Sequence, residues 1–219
     1  MDILVAGGHG QVALRLLRQL AAQGHHARGI IRDPGQAADL EALGAHAVLC
    51  DLEHDDPRPH IGGAEAIVFA AGAGPGSGPE RKRTVDYGAA VKLIEAAREL
   101  GVMRYLMVSA MGTADVEHAA EGMRPYLEAK RDADDALRAS GLDWTIVKPG
   151  HLVDGPGTGK IDAAVALGRR GDIPRDDVAA VLAACLTLPN TIRAEFDVLG
   201  GDTPIEPALR AISGGPVAH

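Results

Sequence analysis

Tyr126 and Lys130 stand four residues apart, a spacing that puts both side chains on the same face of a helix. A phenol with a pKa near 10 exchanges protons poorly at neutral pH, but a neighbouring ammonium group stabilises the phenolate and lowers that pKa. Such a pair can act as a general acid and base. Ser109 ends an apolar run upstream and could hydrogen-bond a substrate carbonyl or hydroxyl. We therefore predict that these three residues form a proton-transfer site.

A glycine-rich loop near the start of the chain has the spacing of a phosphate-binding turn. The apolar run 3–6 leads into Gly7-Gly8-His9-Gly10-Gln11-Val12-Ala13, and a helical pattern follows. Small residues let the backbone approach a diphosphate, while the free N–H groups and dipole of the helix attract the anion. Between a strand and a helix, this pattern is typical of dinucleotide-binding sites. The predicted cofactor contacts in this loop are Gly7, Gly10, Gln11 and Val12.

The residue after the second apolar run bears on the choice of cofactor. NAD sites usually carry an Asp or Glu there, which hydrogen-bonds the ribose 2′-hydroxyl. Here Ile31 is followed by Arg32 and then by Asp33. A guanidinium suits a 2′-phosphate, which a carboxylate would repel. We therefore predict NADP as the cofactor, although Asp33 leaves NAD open as the alternative.

Other candidate contacts follow later apolar runs, at the strand ends where parallel sheets bind ligands. Asp51 and Leu52 come after the third run, where an adenine would lie. Ala71 and Gly72 lie where the fourth run ends, and a bare backbone there can lie along the ribose and phosphates. Pro149 follows the sixth run and is predicted to lie near the nicotinamide.

Short apolar runs alternate with helical patterns along most of the chain. The runs are 3–6, 26–31, 47–50, 66–71, 105–108 and 145–147, and the helical patterns are 10–23, 36–43, 84–100 and 126–140. The runs are continuous rather than alternating, which is typical of strands that are covered on both faces. Strand–helix alternation of this kind predicts an α/β fold with a mostly parallel sheet and helices on both faces.

The regular alternation of apolar runs and helical patterns ends after residue 150. A glycine-rich loop at 155–159 is followed by a short helical segment, a helical stretch at 175–188 and a strand-like segment at 195–199. We expect this tail to form a small C-terminal cap that completes a substrate pocket. The 219 residues are thus predicted to form a single domain. Its cofactor-binding core is 1–150, and its substrate-side cap, with the last strand and helix, is 151–219.

The amino-acid composition and the net charge disfavour some classes of binding partner. Aromatic residues make up 3% of the chain and the net charge is −8, which disfavours base stacking and binding to nucleic acid. No apolar run approaches the roughly 20 residues needed to cross a bilayer, and no secretory leader is evident. Cys50 and Cys185 lack metal or redox spacing, so they are predicted to be buried thiols in a reducing compartment. We expect a cytoplasmic monomer or homodimer with a small-molecule substrate, without a metal or a membrane partner.

The motifs together resemble the short-chain dehydrogenase/reductase superfamily, and most closely its atypical single-domain members related to NmrA-like proteins and NAD-dependent epimerases. Besides the glycine loop and the Tyr126/Lys130 pair, the similarity covers Arg32-Asp33-Pro34, Asp51-Leu52, Thr84-Val85-Asp86-Tyr87, Val108-Ser109-Ala110, Lys148-Pro149-Gly150, 173–179 and 200–205. The resemblance implies a Rossmann-type doubly wound sheet in the order 3-2-1-4-5-6 with an extra edge strand. It also implies NADP binding and a Ser109/Tyr126/Lys130 active site.

Asp86 departs from that family pattern, because the superfamily has an Asn at the corresponding place of its catalytic tetrad. An Asp there can hold an ordered water or bond the backbone, but it adds negative charge near Lys130 and alters the proton relay. We count Asp86 among the catalytic candidates. The chain is also shorter than epimerases that bind nucleotide sugars, which disfavours such a substrate.

The leading hypothesis is an NADP-dependent oxidoreductase of the short-chain dehydrogenase/reductase type that acts on a small carbonyl or alcohol. In it, Tyr126 transfers the proton while Lys130 lowers the pKa of Tyr126 and holds the cofactor ribose. Two alternatives stay open. One is a non-catalytic NADP-binding redox sensor or regulator, and the other is an epimerase that retains its cofactor.

Overall fold

The computed structural model describes residues 1–74 and 76–212. Eleven strands are present in this part of the chain: β1 Asp2–Ala6, β2 His26–Ile31, β3 His46–Leu49, β4 Ala66–Phe69, β5 Arg104–Val108, β6 Asp143–Pro149, β7 His151–Val153, β8 Lys160–Ala164, β9 Asp172–Pro174, β10 Ala194–Gly200 and β11 Thr203–Pro204. The α-helices are α1 Gln11–Ala22, α2 Ala37–Glu41, α3 Arg58–Ile61, α4 Pro79–Arg81, α5 Ala90–Glu99, α6 Arg124–Arg138, α7 Arg175–Thr187 and α8 Ile205–Arg210. A π-helical stretch, Lys82–Ala89, joins α4 to α5.

Nine strands form the central sheet in the order β3-β2-β1-β4-β5-β6-β10-β8-β11. Pairing is parallel from β3 to β10, and β8 then runs antiparallel to both β10 and β11. The α/β class and the strand order 3-2-1-4-5-6 are confirmed. Where one extra edge strand was expected, three strands continue the sheet beyond β6.

Each face of the sheet is covered by helices, because alternate strand residues point to opposite sides. Ile3 and Val5 of β1 belong to a core that includes leucines of α1 and the apolar side chains of α7. Leu4 and Ala6 belong to a second core, formed with α5 and α6. Full burial of a Leu, Ile or Val side chain contributes about 1.5–3 kcal/mol of transfer free energy. The helices on both faces therefore stabilise the sheet.

The segment from residue 151 to residue 212 is divided between two sheets. Strands β7 and β9 pair in a separate two-stranded sheet, while β10, β8 and β11 extend the central one. Residues 213–219, the end of the predicted cap, lie outside the described residues. Because β10 pairs directly with β6, the last part of the chain completes the sheet that the first 150 residues begin.

Two local expectations differ from the structure. The helical segment expected after the 155–159 loop is wrong, since residues 160–164 form strand β8. Alanine-rich composition favours a helix, but the pairing of Asp162 with Leu199 of β10 determines the outcome. The helix expected over 84–100 begins earlier, at Pro79, and its first half is the π-helical stretch.

Candidate active site

A cavity of about 670 Å³ opens at the carboxyl ends of β1, β2, β4, β5 and β6, a size within the usual range for small-molecule sites. Every predicted site residue lies in its lining: Gly7, Gly10, Gln11, Val12, Arg32, Asp51, Leu52, Ala71, Gly72, Asp86, Ser109, Tyr126, Lys130 and Pro149. The glycine loop and the Tyr126/Lys130 pair, more than a hundred residues apart in sequence, therefore face one common space.

The glycine loop leaves room for an anion beside the start of α1. Gly7 has a φ of +75°, and a Cβ there would lie 2.6 Å from the backbone Cα of Ala71. A Cβ on Gly8 would lie 2.9 Å from the backbone of Gly29. Both positions therefore require glycine, because a neighbouring backbone segment lies too close for a side chain. Gly10 precedes α1 and provides no side-chain cap, and the first turn of α1 has no acidic residue. The helix N-terminus thus offers its N–H groups and dipole to a phosphate, and the loop fits the diphosphate of a dinucleotide.

The other end of the cavity holds a cluster of charges around Glu53. One oxygen of its carboxylate lies 3.7 Å from Nη1 of Arg32 and 3.5 Å from Nη2 of Arg81. Its other oxygen accepts a hydrogen bond of 2.7 Å from the Thr84 hydroxyl. Glu53 lines the cavity, although no motif in the sequence pointed to it. Asp33 accepts a bond from the backbone N–H of Gly35 and stands outside the cavity lining.

Lys130 is buried among groups that hold its ammonium in place. Its Nζ donates to the carbonyl oxygen of Val108 at 3.0 Å and lies 3.3 Å from Oδ1 of Asp86. It also lies 6.0 Å from the centre of the Tyr126 ring. The other carboxylate oxygen of Asp86 accepts a bond from the backbone N–H of Ala73. Asp86 thus joins Lys130 to the loop after β4, at the place where the superfamily that the sequence resembles has a neutral amide.

The pKa of Tyr126 is raised above its ordinary value. Burial is the main cause, and the Lys130 ammonium, which lowers the pKa as expected, is outweighed by burial together with the carboxylates of Asp86 and Asp134. The predicted effect of Lys130 is therefore present, but the net pKa of Tyr126 is raised rather than lowered. Burial also tends to lower the pKa of Lys130, but Tyr126 and the two carboxylates raise it overall. Tyr126 thus stays a protonated phenol and Lys130 stays an ammonium ion.

Asp134 is a second residue that sequence reasoning missed, and it contacts the cavity-lining Ser109. It lies one helical turn beyond Lys130 on α6, is completely buried, and accepts a hydrogen bond of 2.6 Å from the Ser109 hydroxyl. Burial is the largest influence on its carboxyl and raises its pKa to about 6, although Ser109 and two lysines oppose the shift. The available signal was the spacing of four residues between Tyr126, Lys130 and Asp134, which places all three on one face of the helix.

Neither a membrane span nor a metal cluster is found in the described part of the chain. No helix within residues 1–74 and 76–212 has the length and apolar character to cross a bilayer. Over the same residues, no group of three or more His, Cys, Asp and Glu side chains is placed to hold a metal ion. Both Cys50 and Cys185 are buried free thiols.

A doubly wound parallel sheet, with a glycine loop before an uncapped helix, defines a nucleotide-binding α/β protein of the Rossmann type. Residues 7–189 match the family described as NAD(P)H-binding, and the chain belongs to this family. A nicotinamide dinucleotide is therefore the cofactor that the family binds, and the match alone does not separate NADP from NAD.

Similar proteins carry names from two enzyme classes. A Bacillus subtilis (strain 168) protein named uncharacterized sugar epimerase YhfK is 41% identical over 215 residues, which cover 97% of this chain and 100% of that one. A solved structure from Bacillus halodurans, provisionally named an NAD-dependent epimerase/dehydratase, has a TM-score of 0.93 at 39% identity and covers 96% of this chain and 99% of its own. The oxidoreductase ylbE of Lactococcus lactis has a TM-score of 0.85 at 26% identity over 96% of both chains.

Proposed function

We propose that the protein is an NADP-dependent oxidoreductase of the atypical short-chain dehydrogenase/reductase type, acting on a small carbonyl or alcohol. The observation that carries the proposal is the shared cavity: Ser109, Tyr126 and Lys130 line the same space as the glycine loop and Arg32. A proton-transfer group and a dinucleotide cradle that open into one cavity are the two components that such chemistry needs.

When bound, the nicotinamide ring supplies or accepts the hydride. Tyr126, kept protonated by its surroundings, gives a proton to the substrate oxygen as reduction proceeds and takes one back in oxidation. Lys130 stabilises the phenolate that remains on Tyr126 and binds the cofactor ribose. Its bond to the Val108 carbonyl holds the ammonium in place while that charge develops.

The preference for NADP rests on Arg32. Its guanidinium is the cation that lines the cavity just beyond β2, and Asp33, the residue that would favour NAD, is engaged with the backbone of Gly35 instead. Titration of the protein with NADPH and with NADH should show tighter binding of NADPH, and Arg32→Ala should remove the difference. Equal affinities in the unmodified protein would contradict this preference.

Replacement of Tyr126 by Phe tests the catalytic assignment. We expect NADPH oxidation, screened across aldehydes, ketones and quinones, to fall by at least about 10²-fold, the lower range for a general acid, while NADPH binding stays unchanged. Tyr87→Phe is the matched control, since Tyr87 stacks on Arg83 at 3.9 Å and is not part of the cavity lining. Full activity of the Tyr126→Phe variant would refute the assignment.

The names of the relatives keep epimerisation as a second candidate. An epimerase oxidises and then reduces the same substrate, so it would retain its cofactor through purification and consume no NADPH overall. A redox sensor would bind NADP(H) but show no turnover with any carbonyl, and Tyr126→Phe would leave its behaviour unchanged. Analysis of the bound nucleotide after purification, followed by the NADPH oxidation screen, separates the three.

A further inference from the structure

We propose that Asp134 is a positioning residue that accepts a hydrogen bond from the Ser109 hydroxyl, so that Ser109 faces the cavity as a hydrogen-bond acceptor and selects a substrate hydroxyl over a carbonyl oxygen. This inference rests on the proposed function, because it concerns the oxygen atom that Tyr126 and Ser109 would hold. It assigns a role to a buried carboxyl group that the catalytic assignment does not use.

The geometry of the pair fixes the direction of the bond. The Ser109 Oγ lies 2.6 Å from Oδ2 of Asp134, and both side chains are buried. An ionised carboxylate can only accept hydrogen bonds, and a serine hydroxyl has one proton and two lone pairs. The proton of Ser109 must therefore point to Asp134, away from the cavity. What remains on the cavity side of Ser109 is a lone pair.

The consequence concerns the type of substrate oxygen that fits. Tyr126 is a phenol, so it donates a hydrogen bond, and Ser109 accepts one. An alcohol oxygen can accept from Tyr126 and donate to Ser109 at the same time, whereas a carbonyl oxygen can only accept. With Asp134 ionised, the site matches an alcohol. Ser109 also gives no hydrogen bond to the oxyanion that develops when a carbonyl is reduced, a contact that normally stabilises this transition state.

Protonation of Asp134 reverses the arrangement. The protonated acid donates its proton to Ser109 Oγ, and the Ser109 proton becomes free to turn toward the cavity, with one proton taken up from solvent. The charged groups around Asp134 come from several elements. Lys130 and Arg138 share its helix, Lys148 lies on β6 and Glu195 on β10. Oδ1 of Asp134 has no hydrogen-bond partner among the described residues, so the carboxylate is incompletely stabilised and takes up a proton readily.

Nuclear magnetic resonance of protein labelled with ¹³C at the aspartate carboxyl carbons tests the pair without any cofactor. Asp134→Asn identifies the Asp134 signal, which should titrate near pH 6. Ser109→Ala removes the donated bond and should raise that midpoint by about one pH unit. Ser77→Ala, at a serine that donates to the Gly74 carbonyl and is not part of the cavity lining, should leave the midpoint unchanged. A midpoint that is the same with and without the Ser109 hydroxyl would overturn the proposal.

Kinetics give the second readout, with 9,10-phenanthrenequinone and NADPH as the probe pair. In the unmodified protein, kcat/KM for reduction should rise as the pH falls through about 6. In Asp134→Asn this step should disappear. Because two lysines face this position, the amide oxygen turns to them and the amide N–H group donates to Ser109. The variant should then be about tenfold more active than the unmodified protein at pH 7.5, a modest share of the effect of one oxyanion donor.

The outcomes are distinct from those that test the proposed function. A purely structural Asp134 predicts that Asp134→Asn loses activity at every pH with an unchanged profile, and this result would overturn the inference. If the unmodified protein reduces no carbonyl at all, the proposed function fails, and the ¹³C titration still decides whether Asp134 accepts a hydrogen bond from Ser109.

Discussion

The buried carboxyl of Asp134 should make the stability of the protein depend on pH in an unusual direction. Its pKa is about 6 in the folded protein against an ordinary value of 3.8. Between these pH values the folded protein holds a proton that the unfolded chain has released, so the free energy of unfolding falls as the pH rises. The gap is about two pH units, and at about 1.4 kcal/mol per unit it amounts to about 3 kcal/mol. About 2 kcal/mol of this decrease in the free energy of unfolding occurs between pH 4.5 and pH 8.

Asp134→Asn isolates this contribution, because the amide resembles the neutral acid at every pH. Urea unfolding of both proteins should show that the unmodified protein loses about 2 kcal/mol relative to the variant between pH 4.5 and pH 8. Groups such as Glu195, whose pKa is lowered by Lys148 and Arg138 despite its burial, contribute the opposite slope in both proteins. The control is Asp135→Asn, on the next and exposed residue. A difference that stays constant across this pH range would refute the reasoning.

Three further substitutions test other parts of the site. Lys130→Met leaves the buried Asp86 carboxylate without its cation and should lower the free energy of unfolding in urea by about 3–5 kcal/mol. Adding Asp86→Asn should restore most of this loss. If the losses of the two single variants simply add in the double variant, the ion pair is contradicted. Gly7→Ala places a Cβ 2.6 Å from backbone at a φ of +75°, so it should destabilise the fold by at least about 2 kcal/mol and weaken NADPH binding; unchanged calorimetric titrations would count against the diphosphate site. Glu53→Gln removes a negative charge 3.7 Å from Arg32. It should strengthen the binding of NADPH several-fold and leave the binding of NADH unchanged. An equal change in affinity for both nucleotides would mean that the 2′-phosphate binds elsewhere.

The parts of the fold that sequence could predict are those with local signals. Continuous apolar runs indicate β1 to β6, and the cavity-lining residues next to them could be predicted because parallel strands end at one edge of the sheet. Strand β8 was missed because Lys160–Ala164 has no strong strand preference of its own and is held by pairing with β10. The π-helical stretch was missed for a similar reason, since no local pattern separates it from an α-helix.

Within the site, the residue types were predictable but their ionisation was not. Tyr126 and Lys130 are recognised by spacing, and the expected direction of the Lys130 effect on Tyr126 is present. The net pKa of Tyr126 depends on burial and on two carboxylates from different segments, Asp86 and Asp134. These influences arise from tertiary packing, which spacing along one helix cannot reveal.

The position of β10 has a consequence for the order in which the molecule can be assembled. Strand β6 ends at Pro149, yet its neighbour on the far side, β10, begins at Ala194. A ribosome that has released the first 150 residues has therefore released a sheet whose last strand still presents open N–H and C=O groups, the kind of edge that promotes aggregation. The open edge of β6 is closed only when residues 194–200 have emerged and paired with it.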